Sequence, residues 1–207
     1  VSAARAQVLL VMGALTWSGI EPHDSQIWLM ETLPVMLFGG AMLVSWGRFP
    51  WTPLAAVLTT LFALILCLGG HYTYELVPLG DWMRDALDLQ RNNYDRIGHF
   101  VQGVTPAILA RELLVRCTAL RPGKALFWIV SCVALAVSAT YELIEWWSAL
   151  LADPEAGMAF LGSQGDEWDA QWDMALALAG AICAQLVLGS LHDRQLATLR
   201  GSPGAPR

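Results

Sequence analysis

The sequence predicts an all-α polytopic membrane protein, a bundle of six transmembrane helices with both termini cytoplasmic. Hydrophobic residues make up 56% of the 207-residue chain and charged residues 14%, and the mean hydropathy is +0.47. That is too apolar for a soluble domain of this size. Six apolar runs can be drawn, each near the roughly 20 residues a helix needs to cross a bilayer. The basic residues, finally, divide unevenly between the two sides that six crossings would define.

The runs are 3–20, 28–46, 51–70, 97–117, 125–147 and 170–191. The first contains Arg5 near its start and is followed by no small-residue cleavage site, so it is expected to be an uncleaved anchor rather than a signal peptide. Short breaks at 21–26 and 47–50 act as tight turns, and Arg121-Pro122-Gly123 marks a third. The fourth run is the least apolar, because Arg111 and Glu112 interrupt its end. Residues 76–94 mix Trp82, Met83, Leu87 and Leu89 with Asp81, Arg84, Asp85 and Asp88, which fits either a short helix along the membrane interface or an ordinary structured loop. The transmembrane domain is expected to span 1–192, and 193–207 to form a short disordered cytoplasmic tail rich in Gly and Pro.

Alternating crossings place Arg5, Arg48, Arg111, Arg116, Arg121, Lys124, Arg194, Arg200 and Arg207 on one side, against Arg84, Arg91 and Arg96 on the other. The positive-inside rule makes the richer side cytoplasmic. The connections 21–26, 75–96 and 148–169 then face outward and hold most of the acidic residues. The run Arg111, Arg116, Arg121 and Lys124 reads as a topology signal rather than a phosphate or lipid site. The net charge of −6, from 18 acidic and 12 basic residues, and the lack of a basic cluster exclude a nucleic-acid footprint. Cys67, Cys117, Cys132 and Cys183 follow no C-x-x-C or regular spacing and read as packing residues. No G-x-S-x-G, P-loop or H-E-x-x-H is present, so serine hydrolase, nucleotide and zincin chemistries have no starting point.

The polar groups that remain converge at one level. Glu142 and Glu145 are three residues apart near the end of the fifth run and share a helix face. His71 closes the third run, Asp95 and His99 open the fourth, and Asp166, Asp169 and Asp173 open the sixth. Asp95/His99 and Asp169/Asp173 are spaced four apart, so each second member lies about 6 Å deeper. An ionised carboxylate at the centre of a membrane helix costs about 2.5–3.5 kcal/mol. The deep trio His99, Glu142 and Asp173 therefore points to function, and carboxylate with imidazole is a ligand set for Zn, Mn or Fe.

The shallower groups have duller readings. Asp166 and Asp169 suit a helix N-terminus, Asp95 can pair with Arg91 or Arg96, His71 can hydrogen-bond at the interface, and Glu145 can be solvated among headgroups. Trp168 and Trp172 read as an aromatic belt.

The segments Gly70-His71-Tyr72-Thr73-Tyr74, Arg91-Asn92, Asp95-Arg96, His99-Phe100, Tyr141-Glu142-Leu143-Ile144-Glu145-Trp146, Gln164-Gly165-Asp166, Trp168-Asp169-Ala170 and Asp173-Met174 together resemble the DUF2238 family over most of the chain. The resemblance implies a multi-pass bacterial inner-membrane protein and no particular reaction. Asp95, His99, Phe100, Glu142, Asp173 and Gly180 also resemble the pattern of VanZ-like membrane proteins, which are associated with glycopeptide resistance. The chain departs from that pattern at Glu145, where those proteins tend to have Gln, and at Ala177, where they have Asn.

The function expected is a metal-assisted hydrolase or transferase acting on a lipid or lipid-linked substrate at the outer leaflet. His99, Glu142 and Asp173 would hold a divalent Zn, Mn or Fe, aided by Asp169, His71 and Asp166, with Glu145 and Asp95 in catalytic roles. The alternatives are a proton- or cation-coupled transporter, and a structural or partner-binding membrane protein whose polar cluster only locks the helices together.

Overall fold

The computed structural model describes residues 3–151 and 164–200. Among the described residues seven α-helices follow in order: α1 (Ala3–Ser18), α2 (Ser25–Ser45), α3 (Pro53–Tyr72), α4 (Pro78–Leu87), α5 (Tyr94–Cys117), α6 (Lys124–Leu151) and α7 (Asp169–Arg200). One 3-10 turn, Tyr74–Leu76, precedes α4. The six longer helices coincide with the six apolar runs, and α4 occupies the amphipathic stretch between the third and fourth. It begins on Pro78 and stops where Asp88 adopts a left-handed conformation with φ 51°.

Four helices, α2, α3, α6 and α7, are long and apolar enough to cross a membrane. α1 has 16 residues, about 24 Å at 1.5 Å per residue, short of a hydrocarbon core of about 30 Å. α5 is long enough but polar, and its packing explains why. It lies against α3, α6 and α7 and buries Asp95, His99, Gln102, Thr105, Arg111 and Glu112 among its 24 residues. A helix enclosed by its neighbours can turn polar side chains inward, where a hydropathy window counts them as unfavourable although no lipid meets them.

Small residues let α5 and α7 meet backbone to backbone. A Cβ at Gly103 would collide with the Ala177 carbonyl, and one at Gly180 with the Phe100 carbonyl. Around this contact Ala107, Leu126, Val130, Ala134 and Ala181 form a core layer with at most 1% exposure. Ala55, Ile108 and Ala184 extend that layer toward α3. Gly and Ala at a close helix crossing are how packing replaces the hydrophobic effect inside a bilayer.

The two ends of the bundle are both polar. At the end holding the N-termini of α2, α5 and α7, Asp24 caps α2 by accepting from the Gln26 and Ile27 amides at 2.7 and 2.9 Å. At the opposite end the fully buried Glu112 accepts from the Thr52 hydroxyl at 2.7 Å, Arg116 at 2.7 Å and His192 at 3.2 Å. Arg111 bridges His192 and Asp193. Arg111 and Arg116 are thus partners in a buried network, beyond the topology signal their positions suggest.

That network also carries the last helix past the expected domain boundary. Residues 193–200, assigned to the tail from sequence, continue α7, held by the Arg111–Asp193 ion pair at 2.7 Å and by Leu196, which is 3% exposed. The tail expected over 201–207 lies outside the described residues. Of the four cysteines Cys67 alone is buried, and Cys117, Cys132 and Cys183 face outward, so packing accounts for one of them.

Candidate metal centre

Helical spacing builds the centre from two elements. Asp95 and His99, one turn apart on α5, meet Asp173 from the second turn of α7, and one ligand atom from each lies within 4.8 Å of the others. His99 Nε2 stands 3.4 Å from Asp95 Oδ1. Ligands at about 2.1 Å from a tetrahedral ion are themselves about 3.4 Å apart, so this pair already has the separation that an ion requires. On the other edge of the ring, His99 Nδ1 faces the Gln102 amide oxygen at 3.0 Å. An amide oxygen only accepts, so this pairing puts a proton on Nδ1 and turns Nε2 toward Asp95. Ligating histidines are commonly oriented by such a bond from their second nitrogen.

Two carboxylate oxygens near this group have no hydrogen-bond partner among the described residues: Asp173 Oδ1 and Glu142 Oε1. Asp173 is 2% exposed. Glu142 Oε1 approaches His99 Nδ1 at 3.6 Å, too long for a hydrogen bond. It therefore borders the ring edge opposite Asp95. A buried polar atom without a partner is costly, more so when it is charged, and the Asp173 oxygen, grouped with Asp95 and His99, marks a position that a cation can complete.

A small cavity adjoins the group on the side of α2 and α3. Its wall includes Glu31, Tyr74, Asp95, His99, Tyr141 and Glu145. Glu31 is 3% exposed, and the Tyr141 hydroxyl donates to its Oε2 at 2.7 Å. Burial, and next the Glu31 charge, raise the Tyr74 phenol well above its ordinary value, so it stays a neutral hydroxyl able to donate to the same carboxylate. Glu145 is 8% exposed and lies among protein groups rather than solvated headgroups. Sequence reasoning missed Glu31. The signal was a lone acid inside the apolar run 28–46, about two turns from the α2 cap, where a carboxylate is expensive.

The remaining sequence-selected residues lie elsewhere. Asp169 pairs with Arg91 at 2.7 Å. Asp166 pairs with Arg96 at 2.8 Å and Arg91 at 3.7 Å, and its Oδ1 accepts from the Trp168 amide at 3.0 Å. Both aspartates form a charged rim over the start of α7 with Arg91 and Arg96, whereas Asp95 faces His99. His71 donates from Nδ1 to the Ser18 carbonyl at 3.1 Å, with its ring 4.5 Å from that of Trp17. It belongs to the α1–α3 contact, outside the cluster. Trp168 and Trp172, 59% and 53% exposed, suit a belt at the membrane interface.

Residues 3–194 match the family described as "Predicted membrane protein (DUF2238)". The chain is also similar to the inner membrane protein YjdF of Escherichia coli (strain K12), with 49% identity over 182 residues, covering 88% of this chain and 87% of that protein. No solved structure matches the chain.

Proposed function

The chain belongs to the DUF2238 family of membrane proteins, and on that premise we propose that it is a bacterial inner-membrane protein with a divalent-metal site used for hydrolysis or group transfer on a lipid or lipid-linked substrate. In this reading the chain crosses the bilayer six times with both termini cytoplasmic, the first crossing made by the whole apolar run 3–20 rather than by α1 alone, and the site opens toward the periplasmic side. The nine-to-three distribution of basic residues supports this orientation. The inner membrane follows the relative's location.

The observation that carries the metal reading is the convergence of Asp95, His99 and Asp173 within 4.8 Å, with the Asp173 Oδ1 buried and unpartnered. In this reading those three residues hold Zn, Mn or Fe, Gln102 fixes the His99 ring, and Glu142 borders it. The ion would supply Lewis-acid polarisation of an oxygen in the scissile group. Glu145, on the wall of the adjoining cavity, accepts the proton of the attacking water or hydroxyl. A membrane location for the site selects substrates that reach it from the lipid phase.

Transport is less well supported. A pathway would have to link this site to the Glu112–His192 network, 13 residues further along α5 and about 20 Å away. Ala107, Ile108, Ala181 and Ala184 fill much of the interval, each at most 2% exposed, and its buried hydroxyls, Thr105 and Ser131, are engaged by the Leu58 and Phe127 carbonyls, which leaves an ion no continuous polar path.

The test is elemental analysis of protein purified without chelator or affinity nickel, beside a His99→Ala/Asp173→Ala double variant. Stoichiometric Zn, Mn or Fe that disappears in the variant is the expected result. Wild-type protein without metal after dialysis against each ion would overturn the proposal.

A further inference from the structure

Beyond a single ion, we propose that the cavity beside the first site holds a second divalent cation, bound by Glu31 and Glu145 and sharing Asp95 with the first. This inference rests on the metal reading above and extends it to a two-metal centre.

Charge is the first reason. Asp95, Asp173, Glu142, Glu145 and Glu31 bring five carboxylates from four helices into one buried region. Among the described residues the one basic side chain lining the cavity is His99, and the nearby arginines, Arg91 and Arg96, pair with Asp169 and Asp166 at the rim. One divalent ion leaves a formal charge of −3 among these carboxylates when all are ionised, and two leave −1. Uncompensated charge in a low-dielectric interior is unfavourable unless it is paired or coordinates a metal.

Geometry is the second. Asp95 and His99 belong both to the tight group with Asp173 and to the cavity wall that carries Glu31 and Glu145. Asp95 is therefore positioned to bridge. Glu145 is nine-tenths buried on that wall and makes no hydrogen bond among the described residues. Tyr141 donates to Oε2 of Glu31 and Tyr74 is placed to donate to the same carboxylate, and a carboxylate offers about four lone-pair positions, so acceptor capacity remains for a cation. Carboxylates and a histidine projecting inward from separate helices are the donor set that helical bundles use for metal pairs. Two ions about 3.5–4 Å apart can clamp the attacking and leaving oxygens of a displacement. A carboxylate bound through one oxygen keeps the other, so Glu145 retains its proton-accepting role.

The experiment is metal counting on the full-length protein in detergent, stripped with chelator and dialysed separately against Zn2+ and Mn2+, with electron paramagnetic resonance of the Mn2+ form. Two ions per chain and an exchange-coupled Mn2+ spectrum are expected for the wild type. A Glu31→Gln/Glu145→Gln variant should bind one ion and show the uncoupled six-line spectrum. The wild-type spectrum reports on the pair even if the variant does not fold. One ion per chain with an uncoupled wild-type spectrum would overturn the second site and leave the first standing. No bound ion of either kind would overturn both, and two ions in the variant would overturn the assignment to Glu31 and Glu145.

Discussion

Gln102 fixes the orientation of His99: its amide oxygen stands 3.0 Å from Nδ1, one turn along the same helix. The consequence is that Nε2, facing Asp95 at 3.4 Å, is the nitrogen available to a cation. Replacing Gln102 with Leu keeps the bulk and removes the acceptor. Losing such a supporting bond typically costs about 10- to 100-fold in metal affinity. Competition against a chelating dye should show that weakening, with the number of ions bound at saturation unchanged. An unaltered affinity would mean that the ring is held by something other than Gln102.

The approach of α5 to α7 predicts a steric effect at Gly103. A methyl group there meets the Ala177 carbonyl, which belongs to a helix backbone and cannot rotate aside as a side chain could. Overpacking of this kind costs typically about 1–3 kcal/mol. Gly103→Ala should therefore lower the thermal midpoint in detergent, whereas Gly189→Ala, with open space around the new methyl, should not. Equal midpoints for the two variants would contradict the close crossing.

Glu112 makes a prediction that separates stability from chemistry. Its carboxylate is the common acceptor for Arg116, His192 and Thr52, so Glu112→Ala leaves the fully buried His192 and the half-buried Arg116 without their carboxylate, Arg116 keeping the Pro50 carbonyl. Breaking a buried pair on one side costs about 3–5 kcal/mol. The thermal midpoint should fall sharply. Metal content should not, because the network lies about 20 Å from His99 along α5. Loss of metal from folded variant protein would show that the two ends of the bundle are coupled.

The elements were legible where one physical constraint dominated. A lipid-facing helix must be apolar over its whole length, so each apolar run of the sequence became a helix. α5 was harder because its burial is a property of the assembled bundle, and polar residues such as Thr105 and Glu112 become acceptable only once α3, α6 and α7 surround them. The nearness of His99 and Asp173 was legible, since spacing alone sets how far they lie below the helix ends, whereas the group they form takes Asp95 as its third member and leaves Glu142 at the opposite edge of the ring. Partner choice was not legible. Arg91 joins Asp169 across 78 residues, and Tyr141 joins Glu31 across 110, and no local pattern encodes such pairings. His71 shows the same limit: its level along α3 matched the cluster, but its direction around the helix turned it to Ser18 and Trp17.

Metal binding should also be readable in stability. An ion that binds only the folded protein stabilises it by about 2.7 kcal/mol at a free concentration one hundred times its Kd. For a chain of this length roughly 1 kcal/mol shifts the midpoint by 2–4 °C, so saturation should raise it by on the order of 5 to 10 °C. His99→Ala removes the nitrogen ligand and Asp173→Asn removes a charge whose Oδ1 has no other partner, and both should abolish the shift. Asp173→Asn should also be the more stable of the two proteins without metal, because it relieves repulsion among buried carboxylates that only a cation otherwise offsets. A wild-type midpoint indifferent to Zn2+, Mn2+ and chelator would instead assign the cluster to helix packing alone.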